Sequence, residues 1–341
     1  MRIGFDAYTI EHRGLSTEAT LDFAREHRLQ SVQFLEPASI ARNLDPARLA
    51  EVRAMAGARG LALEVGLPSL NPARRSRQEG REVGAEEHAR SLIRHIEAVE
   101  ALGCRHARAY LGSRHDRFRT DVRWPVQIAA CRDVLRRLTP TLRACGIAVA
   151  IETHADATTG EILGLLDAFE PGVLGVTLDT GNLPMRLDDP VAAVDRLAPR
   201  VLATHIKDAV LAFTPRGLCW QARPVGSGIL PMPDLLAILH RANPGLTLSI
   251  ELHPRTYDLP IYDPSWLAYF PDLRPESLAA VIRLAASCER RFAEGSLARP
   301  EVVEAVPWAD RDLDWLASSL GYLRAIVAML GRVEEPSRSD D

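Results

Sequence analysis

Four segments of the chain share one pattern, a short apolar run that ends in an acid or a histidine. They are AVAIETH (148–154), GVTLDTGN (175–182), VLATHIKD (201–208) and LTLSIELH (246–253). Short runs rich in Val, Ile and Thr are typical of β-strands. The stretches between them have helical periodicity, so the four segments predict parallel strands that are connected by helices.

The same alternation extends toward the N-terminus. Four earlier strands are predicted at Ile3–Tyr8, Ser31–Leu35, Leu61–Val65 and His106–Leu111. Amphipathic helices are predicted at Thr17–His27, Pro46–Arg59, Ala85–Leu102, Val126–Ala144, Thr159–Phe169, Pro190–Leu197 and Pro233–Arg241. Eight strands that alternate with helices favour an α/β fold, a closed (β/α)8 TIM barrel, over an open doubly wound sheet. No GxGxxG follows the first strand and no GxxxxGK[ST] occurs, so phosphate-binding loops are not indicated.

The chain is longer than a minimal barrel, which needs about 250 residues. We predict a catalytic barrel domain over residues 1–295 and a C-terminal helical extension and tail over residues 296–341. The parts beyond the regular alternation are predicted to be a long loop at Arg255–Pro275, the eighth helix at Glu276–Phe292, an appended helix at Asp310–Leu330 and a frayed tail at Glu334–Asp341. The appended helix is expected to pack on the barrel or on a second subunit, which leaves a homo-oligomer open.

Composition excludes several classes of protein. The formal net charge of −4 and the pI of about 6.2 offer no basic field for nucleic acid. Five cysteines without a CxxC motif indicate neither a disulfide framework nor a thiolate zinc site. There is no signal-peptide pattern and no apolar run of about 18 residues. We therefore expect a soluble, cytoplasmic protein without a nucleic-acid or membrane partner.

The four segments also predict a site. Residues i and i+2 of a strand share a face, and active sites of these barrels lie at the carboxyl ends of the strands. One inward position on each strand gives Glu152, Asp179, His205 and Glu251, and the next inward position gives His154, Gly181, Lys207 and His253. Three carboxylates and one imidazole suit one divalent cation per chain. Mn²⁺ is the preferred ion, and Mg²⁺, Co²⁺ or Zn²⁺ are alternatives. Without a metal the carboxylates would repel one another.

Lys207 is unusual because it is the only lysine among 41 basic residues. A strong bias toward arginine has left lysine at one position, two residues beyond a predicted metal ligand. An ammonium is compact and can lose its proton, whereas a guanidinium cannot. The pattern favours a catalytic role for Lys207, and a salt bridge to Asp208 or another acid at the rim is the structural alternative.

These segments resemble the sugar isomerase and epimerase group of the xylose-isomerase-like barrels. The resemblance covers the whole barrel, most specifically residues 148–252, and includes VGSGILPM at 225–232. It implies that Glu152, Asp179, His205 and Glu251 are metal ligands. In epimerases of this group the two glutamates also move the proton through a metal-bound enediolate, so Glu152 and Glu251 are predicted to be catalytic. The implied activity is isomerisation or epimerisation of a small ketose or keto-sugar.

Two departures from the group leave the reaction open. Family epimerases commonly have histidine three residues after the metal-binding aspartate, where this chain has Asn182. The segment YDLPIYDPSWLAYF (257–270) resembles a subgroup in which some members cleave carbon–carbon or carbon–oxygen bonds of oxidised sugars. A metal-dependent lyase that decarboxylates, eliminates or cleaves a C-glycoside, acting on a 3-oxo sugar or sugar acid, is therefore the alternative.

Other residues and functions carry weaker predictions. The residues predicted to bind substrate are His154, His253, Glu36, Tyr110, Arg108, Asn182 and Arg223. An endonuclease IV-like DNA repair enzyme shares the fold and the ligand set, but it needs further histidines at early strand ends, which are absent here. A non-catalytic sugar-binding or regulatory barrel is a further alternative, and an intact ligand set argues against it.

Overall fold

The computed structural model describes residues 1–333, and eight of its strands form a parallel ring. These strands are β1 (Arg2–Asp6), β2 (Ser31–Phe34), β3 (Ala62–Val65), β4 (His106–Ala109), β5 (Ala148–Glu152), β6 (Leu174–Asp179), β7 (Val201–His205) and, after an inserted hairpin, β10 (Thr247–Ile250). They pair as two parallel sheets in the order β10-β1-β2-β3 and β4-β5-β6-β7. Single parallel bridges, Gly66 to Arg108 and Ile206 to Ile250, join the sheets at both edges. The barrel is therefore closed, and the predicted (β/α)8 fold is confirmed.

Helices surround the strands. They are α1 (Thr17–Glu26), α2 (Pro37–Ile40), α3 (Pro46–Ala58), α4 (Pro72–Glu79), α5 (Ala85–Ala101), α6 (Arg114–Arg117), α7 (Trp124–Cys145), α8 (Thr159–Leu166), α9 (Pro190–Leu197), α10 (Met232–Ala242), α11 (Pro264–Leu267), α12 (Pro275–Ala293), α13 (Pro300–Glu304) and α14 (Asp312–Val333). At the start of α3 and of α9, Asp45 and Asp189 accept backbone N–H groups of the first helical turn, and each is followed by a proline at N1. Gly146 ends α7 in the left-handed conformation.

A small antiparallel sheet is inserted after β7, and one of its strands lies in the segment Arg255–Pro275 that was predicted to be a loop. It contains β8 (Asp208–Thr214), β9 (Gly217–Arg223) and β11 (Thr256–Leu259) in the order β11-β9-β8. The backbone passes so close at Gly217 that a Cβ there would lie 2.3 Å from the carbonyl oxygen of Leu259. The sheet packs on α12, where Cys288 Sγ accepts the N–H of Leu211 at 3.4 Å. It therefore builds one wall above the carboxyl ends of the barrel strands.

The C-terminal helix α14 packs on the barrel. Leu316, Leu320 and Leu323 are buried in the main core, and Ser319 Oγ accepts the N–H of Val225 at 3.0 Å. In residues 1–333 one helix, Asp312–Arg332, is long and apolar enough to cross a membrane by length and composition alone, with a mean hydropathy of 1.3. The division into domains at residue 295 stays a prediction, and the predicted fraying of Glu334–Asp341 lies outside the described residues.

Glu64 is a buried acid on β3. Its side chain is 6% exposed and its Oε2 has no hydrogen-bond partner. Burial raises the pKa of Glu64 to about 7. Because this pKa lies above that of the unfolded chain, the stability contributed by protonated Glu64 is complete at low pH and is lost as the pH rises through 7.

We expect Glu64→Gln to stabilise the fold increasingly as the pH rises. The gap in unfolding free energy between the variant and the wild type should widen by about 2 kcal/mol between pH 5.5 and 8, because only the wild type must ionise a buried group. Urea unfolding at both pH values measures the gap. Glu97→Gln, an exposed position on α5, serves as the control and should show no pH-dependent gap. A constant gap for Glu64→Gln would contradict the assigned pKa.

Candidate active site

The four predicted metal ligands meet at the carboxyl ends of the barrel strands. Glu152, Asp179 and His205 are the last residues of β5, β6 and β7, and Glu251 follows β10 directly. All but Glu251 are at most 2% exposed, and the Glu251 side chain is 13% exposed. One donor atom from each of Glu152, Asp179 and His205 lies within 4.8 Å of the other two. Strand periodicity alone is therefore sufficient to select a set of residues that converges in space.

The donor set fits a divalent cation. Carboxylate oxygens with one imidazole nitrogen are ligands for hard and borderline ions such as Mn²⁺ or Zn²⁺. A second triplet of donor atoms, from Asp6, His205 and Glu251, also lies within 4.8 Å and shares His205 with the first. The concentration of buried carboxylates supports a divalent ion here, without selecting its identity.

His205 links these two triplets through its two ring nitrogens. Nδ1 is 3.1 Å from Glu152 Oε1 and 3.7 Å from Glu251 Oε1. Nε2 is 3.1 Å from Asp6 Oδ2 and 2.6 Å from Gln33 Nε2. Nδ1 thus faces the ligand set, while a carboxylate on the other side orients the ring, an arrangement typical of metal-binding histidines.

Neither Asp6 nor Gln33 was among the predicted metal ligands. They are register partners on β1 and β2, and Gln33 Nε2 donates to Asp6 Oδ2 at 3.1 Å. The early strands end in residues with no shared motif, so the repeated acid-or-histidine pattern did not extend to them. Inward periodicity on β1 and β2 is the signal that would have found both residues.

Two buried cations balance the carboxylates. Arg108 Nη1 is 2.8 Å from Glu152 Oε2, and Lys207 Nζ is 2.8 Å from Asp179 Oδ2 and contacts Glu251. Burial acts to lower the pKa of Lys207, but the charges of Asp179 and Glu251 and the hydrogen bonds to them raise this pKa well above its ordinary value. Lys207 is therefore a protonated ammonium inside the site, paired with predicted ligands and not with Asp208.

Glycine at position 181 allows Lys207 to lie where it does. A Cβ on Gly181 would be 2.4 Å from Lys207 Cγ, so any larger residue would displace the lysine stem. The carbonyl of Gly181 accepts the indole N–H of Trp220, from β9, at 2.8 Å. Asn182 donates its side-chain N–H to Asp179 Oδ2 at 2.6 Å. The loop after β6 therefore orients both Asp179 and Lys207.

A cavity of about 280 Å³ opens above this cluster. Of the residues predicted to bind substrate, those that line it are Arg108, Tyr110, His154, Asn182 and His253. His253 Nε2 lies 3.2 Å from Lys207 Nζ, and burial together with the charge of Lys207 holds the pKa of His253 well below its usual range. A neutral imidazole at this point accepts a hydrogen bond from the ammonium.

Two predicted substrate contacts lie outside this cavity. Arg223 is buried in β9, and its Nη2 donates to the carbonyl of Ala298 at 2.7 Å. Glu36 stands at the N-cap position of α2 and does not line the cavity, although its neighbour Leu35 does. Glu36 was selected at the end of the predicted strand Ser31–Leu35. Arg223 was selected from a predicted loop, where strand periodicity does not determine the direction of a side chain.

A model of the xylose isomerase-like TIM barrel family matches residues 21–270. The chain belongs to this family. Among its relatives is the 3-oxo-isoapionate decarboxylase of Pectobacterium atrosepticum, 27% identical over 239 residues, which cover 67% of this chain and 78% of the relative. A solved D-psicose 3-epimerase is 17% identical with a TM-score of 0.59, covering 86% of this chain and 99% of its own. The IOLI protein, solved with a zinc atom, is 15% identical with a TM-score of 0.55, and the match covers 88% of this chain and 100% of the IOLI chain.

Membership of the xylose isomerase-like family agrees with the closed barrel and with the resemblance inferred from residues 148–252. Two of these three proteins are named as sugar-processing enzymes, and the decarboxylase relative supports an enzymatic role for this chain. They include an epimerase and a decarboxylase, so membership leaves the reaction class open.

Proposed function

We propose that this chain is a divalent-metal-dependent sugar isomerase or epimerase that acts on a small ketose or keto-sugar. The observation that supports this most directly is the convergence of Glu152, Asp179, His205 and Glu251 below a polar cavity. A divalent ion, for which we favour Mn²⁺, would polarise a substrate carbonyl and its neighbouring hydroxyl when bound. The chain's own groups would then move the proton.

Glu152 and Glu251 are the proposed acid and base. Each has a cation beside it, Arg108 for Glu152 and Lys207 for Glu251. These charges favour the carboxylate form, which is the form that removes a proton from carbon. Removal by one glutamate and return by the other, at a different carbon or on the opposite face, gives isomerisation or epimerisation through an enediolate.

Lys207 is proposed to stabilise the oxyanion that develops on the substrate. Its ammonium lines the cavity and lies between two carboxylates that keep it protonated. A fixed donor aimed at developing charge lowers the barrier because it needs no reorganisation during the reaction.

We expect Lys207→Arg to lower kcat at least about tenfold, or roughly 1.4 kcal/mol of barrier, with the metal retained. The charge is kept, but the lysine stem fits against Gly181, and a wider, planar guanidinium cannot occupy the same point. Lys207→Met, which removes the charge, should lower kcat further than Lys207→Arg does. Steady-state kinetics with metal analysis measures both variants, and wild-type activity in Lys207→Arg would exclude a catalytic role. Borohydride trapping of a substrate adduct on Lys207 would instead indicate a free amine.

A metal-dependent lyase is the second candidate. The decarboxylase relative and the segment that runs from β11 to α11 favour it. The same intermediate serves elimination or decarboxylation when a leaving group or a carboxylate lies beside it.

Incubation with ketoses and 3-keto sugars in D2O with Mn²⁺, followed by NMR, tests the proposal. Deuterium in a recovered or isomerised sugar would support isomerase or epimerase activity, and loss of carbon dioxide or of a substituent would support the lyase. Chelation should stop either reaction. Turnover that survives complete removal of metal would contradict both.

A further inference from the structure

Arg255 is a cation at the rim of the cavity that has no carboxylate partner in residues 1–333. Its Nη1 donates to the hydroxyl of Tyr257 at 3.3 Å, and its Nη2 donates to the hydroxyl of Tyr8. The guanidinium carbon lies 5.4 Å from the centre of the Tyr8 ring. Two neutral phenols thus fix the guanidinium without cancelling its charge.

The other cations that line the cavity are paired. Arg108 pairs with Glu152, Lys207 with Asp179 and Glu251, and Arg74 with Asp116, which lies 3.2 Å away. Arg255 therefore supplies the positive charge that remains for a ligand. A guanidinium has five N–H donors, of which the two phenols use two.

The position of Arg255 relates it to the reacting end of the cavity. Glu251 and His253 both contact Lys207. Arg255 lies two residues beyond His253 on the same segment and is exposed to solvent. Tyr8 and Tyr257 line the cavity beside it. A substrate whose carbonyl lies at Lys207 would extend its other end toward this guanidinium.

We propose, on the basis of the sugar chemistry proposed above, that Arg255 binds an anionic terminal group of the substrate. The substrate class is then an acidic ketose, a sugar acid or a sugar phosphate, and Arg255 selects it over the neutral sugar. Guanidinium binds carboxylate and phosphate through paired, charge-assisted hydrogen bonds, which supply both affinity and orientation.

Calorimetric titration of the Mn²⁺-loaded protein with three matched probes tests this. D-Fructose, D-fructuronate and D-fructose 6-phosphate have a neutral, a carboxylate and a phosphate group at the same end of the chain. We expect the wild type to bind one of the acidic probes at least about tenfold more tightly than D-fructose, as expected for a charged hydrogen bond. The preferred acidic probe distinguishes carboxylate from phosphate.

Arg255→Gln should reduce this preference to near one, and Arg255→Lys should retain part of it. Arg241→Gln, an exposed change of equal charge on α10, should keep the full preference. Equal affinity of the wild type for all three probes, including no detectable binding of any, would overturn the proposal, as would full preference in Arg255→Gln. Binding needs no turnover, so an anionic preference without deuterium exchange would refute the proposed reaction and leave this subsite standing.

Discussion

Asp179→Ala is expected to lose its metal and to have no measurable turnover while the barrel stays folded. The carboxylate is fully buried, and its Oδ1 accepts the backbone N–H groups of Gly181 and Asn182 at 3.0 and 3.2 Å. Loss of an outer partner of a metal ligand costs about 10–100-fold in affinity, so loss of a direct ligand should cost more.

Metal content per chain, measured after dialysis against trace metal, gives the primary result, and circular dichroism confirms folding. Asp179→Asn keeps the shape and the acceptor for the two N–H groups, so it separates the loss of the charged ligand from the loss of packing. Asp195→Ala, on the exposed face of α9, is the matched control and should retain full occupancy. Full metal occupancy in Asp179→Ala would remove Asp179 from the ligand set.

The convergence of the four proposed ligands could be predicted because one physical rule determines it. In a parallel barrel the strand ends meet at one face, and alternation decides which side chains point inward. Glu152, Asp179 and His205 are each the last residue of a strand, so small errors in strand bounds did not change the prediction. Lys207 followed from the same rule, since it lies two residues beyond His205 and its side chain enters the cavity.

The inserted sheet was missed although the sequence contains a signal for it. Two apolar runs flank Thr214-Pro215-Arg216-Gly217, which is a turn pattern between strands. The pairing of β11 with β9 joins segments more than thirty residues apart, and no local periodicity predicts such a contact. Arg223 was assigned to a loop for this reason, whereas it is a buried residue of β9.

The charge balance of the site could not be predicted from strand periodicity. Arg108 was proposed as a substrate contact, yet in the fold it pairs with Glu152 at 2.8 Å. Asp6 and Gln33 contact His205 only because closure of the barrel brings β1 and β2 close to β7, with β10 between β7 and β1. Contacts across the barrel depend on the stagger of the strands, which a single sequence does not specify.

Glu152→Gln and Glu251→Gln are expected to keep more metal than activity. An amide oxygen can still coordinate an ion, but an amide cannot take up a proton, so each variant should lose about 10²-fold or more in kcat. Glu152→Gln also leaves Arg108 without its carboxylate partner, whereas Glu251→Gln removes one of two partners of Lys207. Glu170→Gln, which alters an exposed pair with Arg143, is the control and should leave kcat unchanged.

Deuterium exchange distinguishes a proton-transfer role from a purely structural one. If the two glutamates act on opposite faces of the substrate, each variant should still exchange the proton of one epimer with D2O while failing to exchange that of the other. Each epimer is incubated separately with each variant, and NMR measures its deuterium exchange. The metal content of each variant is measured alongside. Equal slowing of exchange for both epimers would instead make the glutamates ligands without a role in proton transfer, and near-normal turnover in both variants would contradict the assignment altogether. If Glu152→Gln fails to exchange the proton of one epimer and Glu251→Gln fails to exchange that of the other, each glutamate is assigned to one face of the substrate.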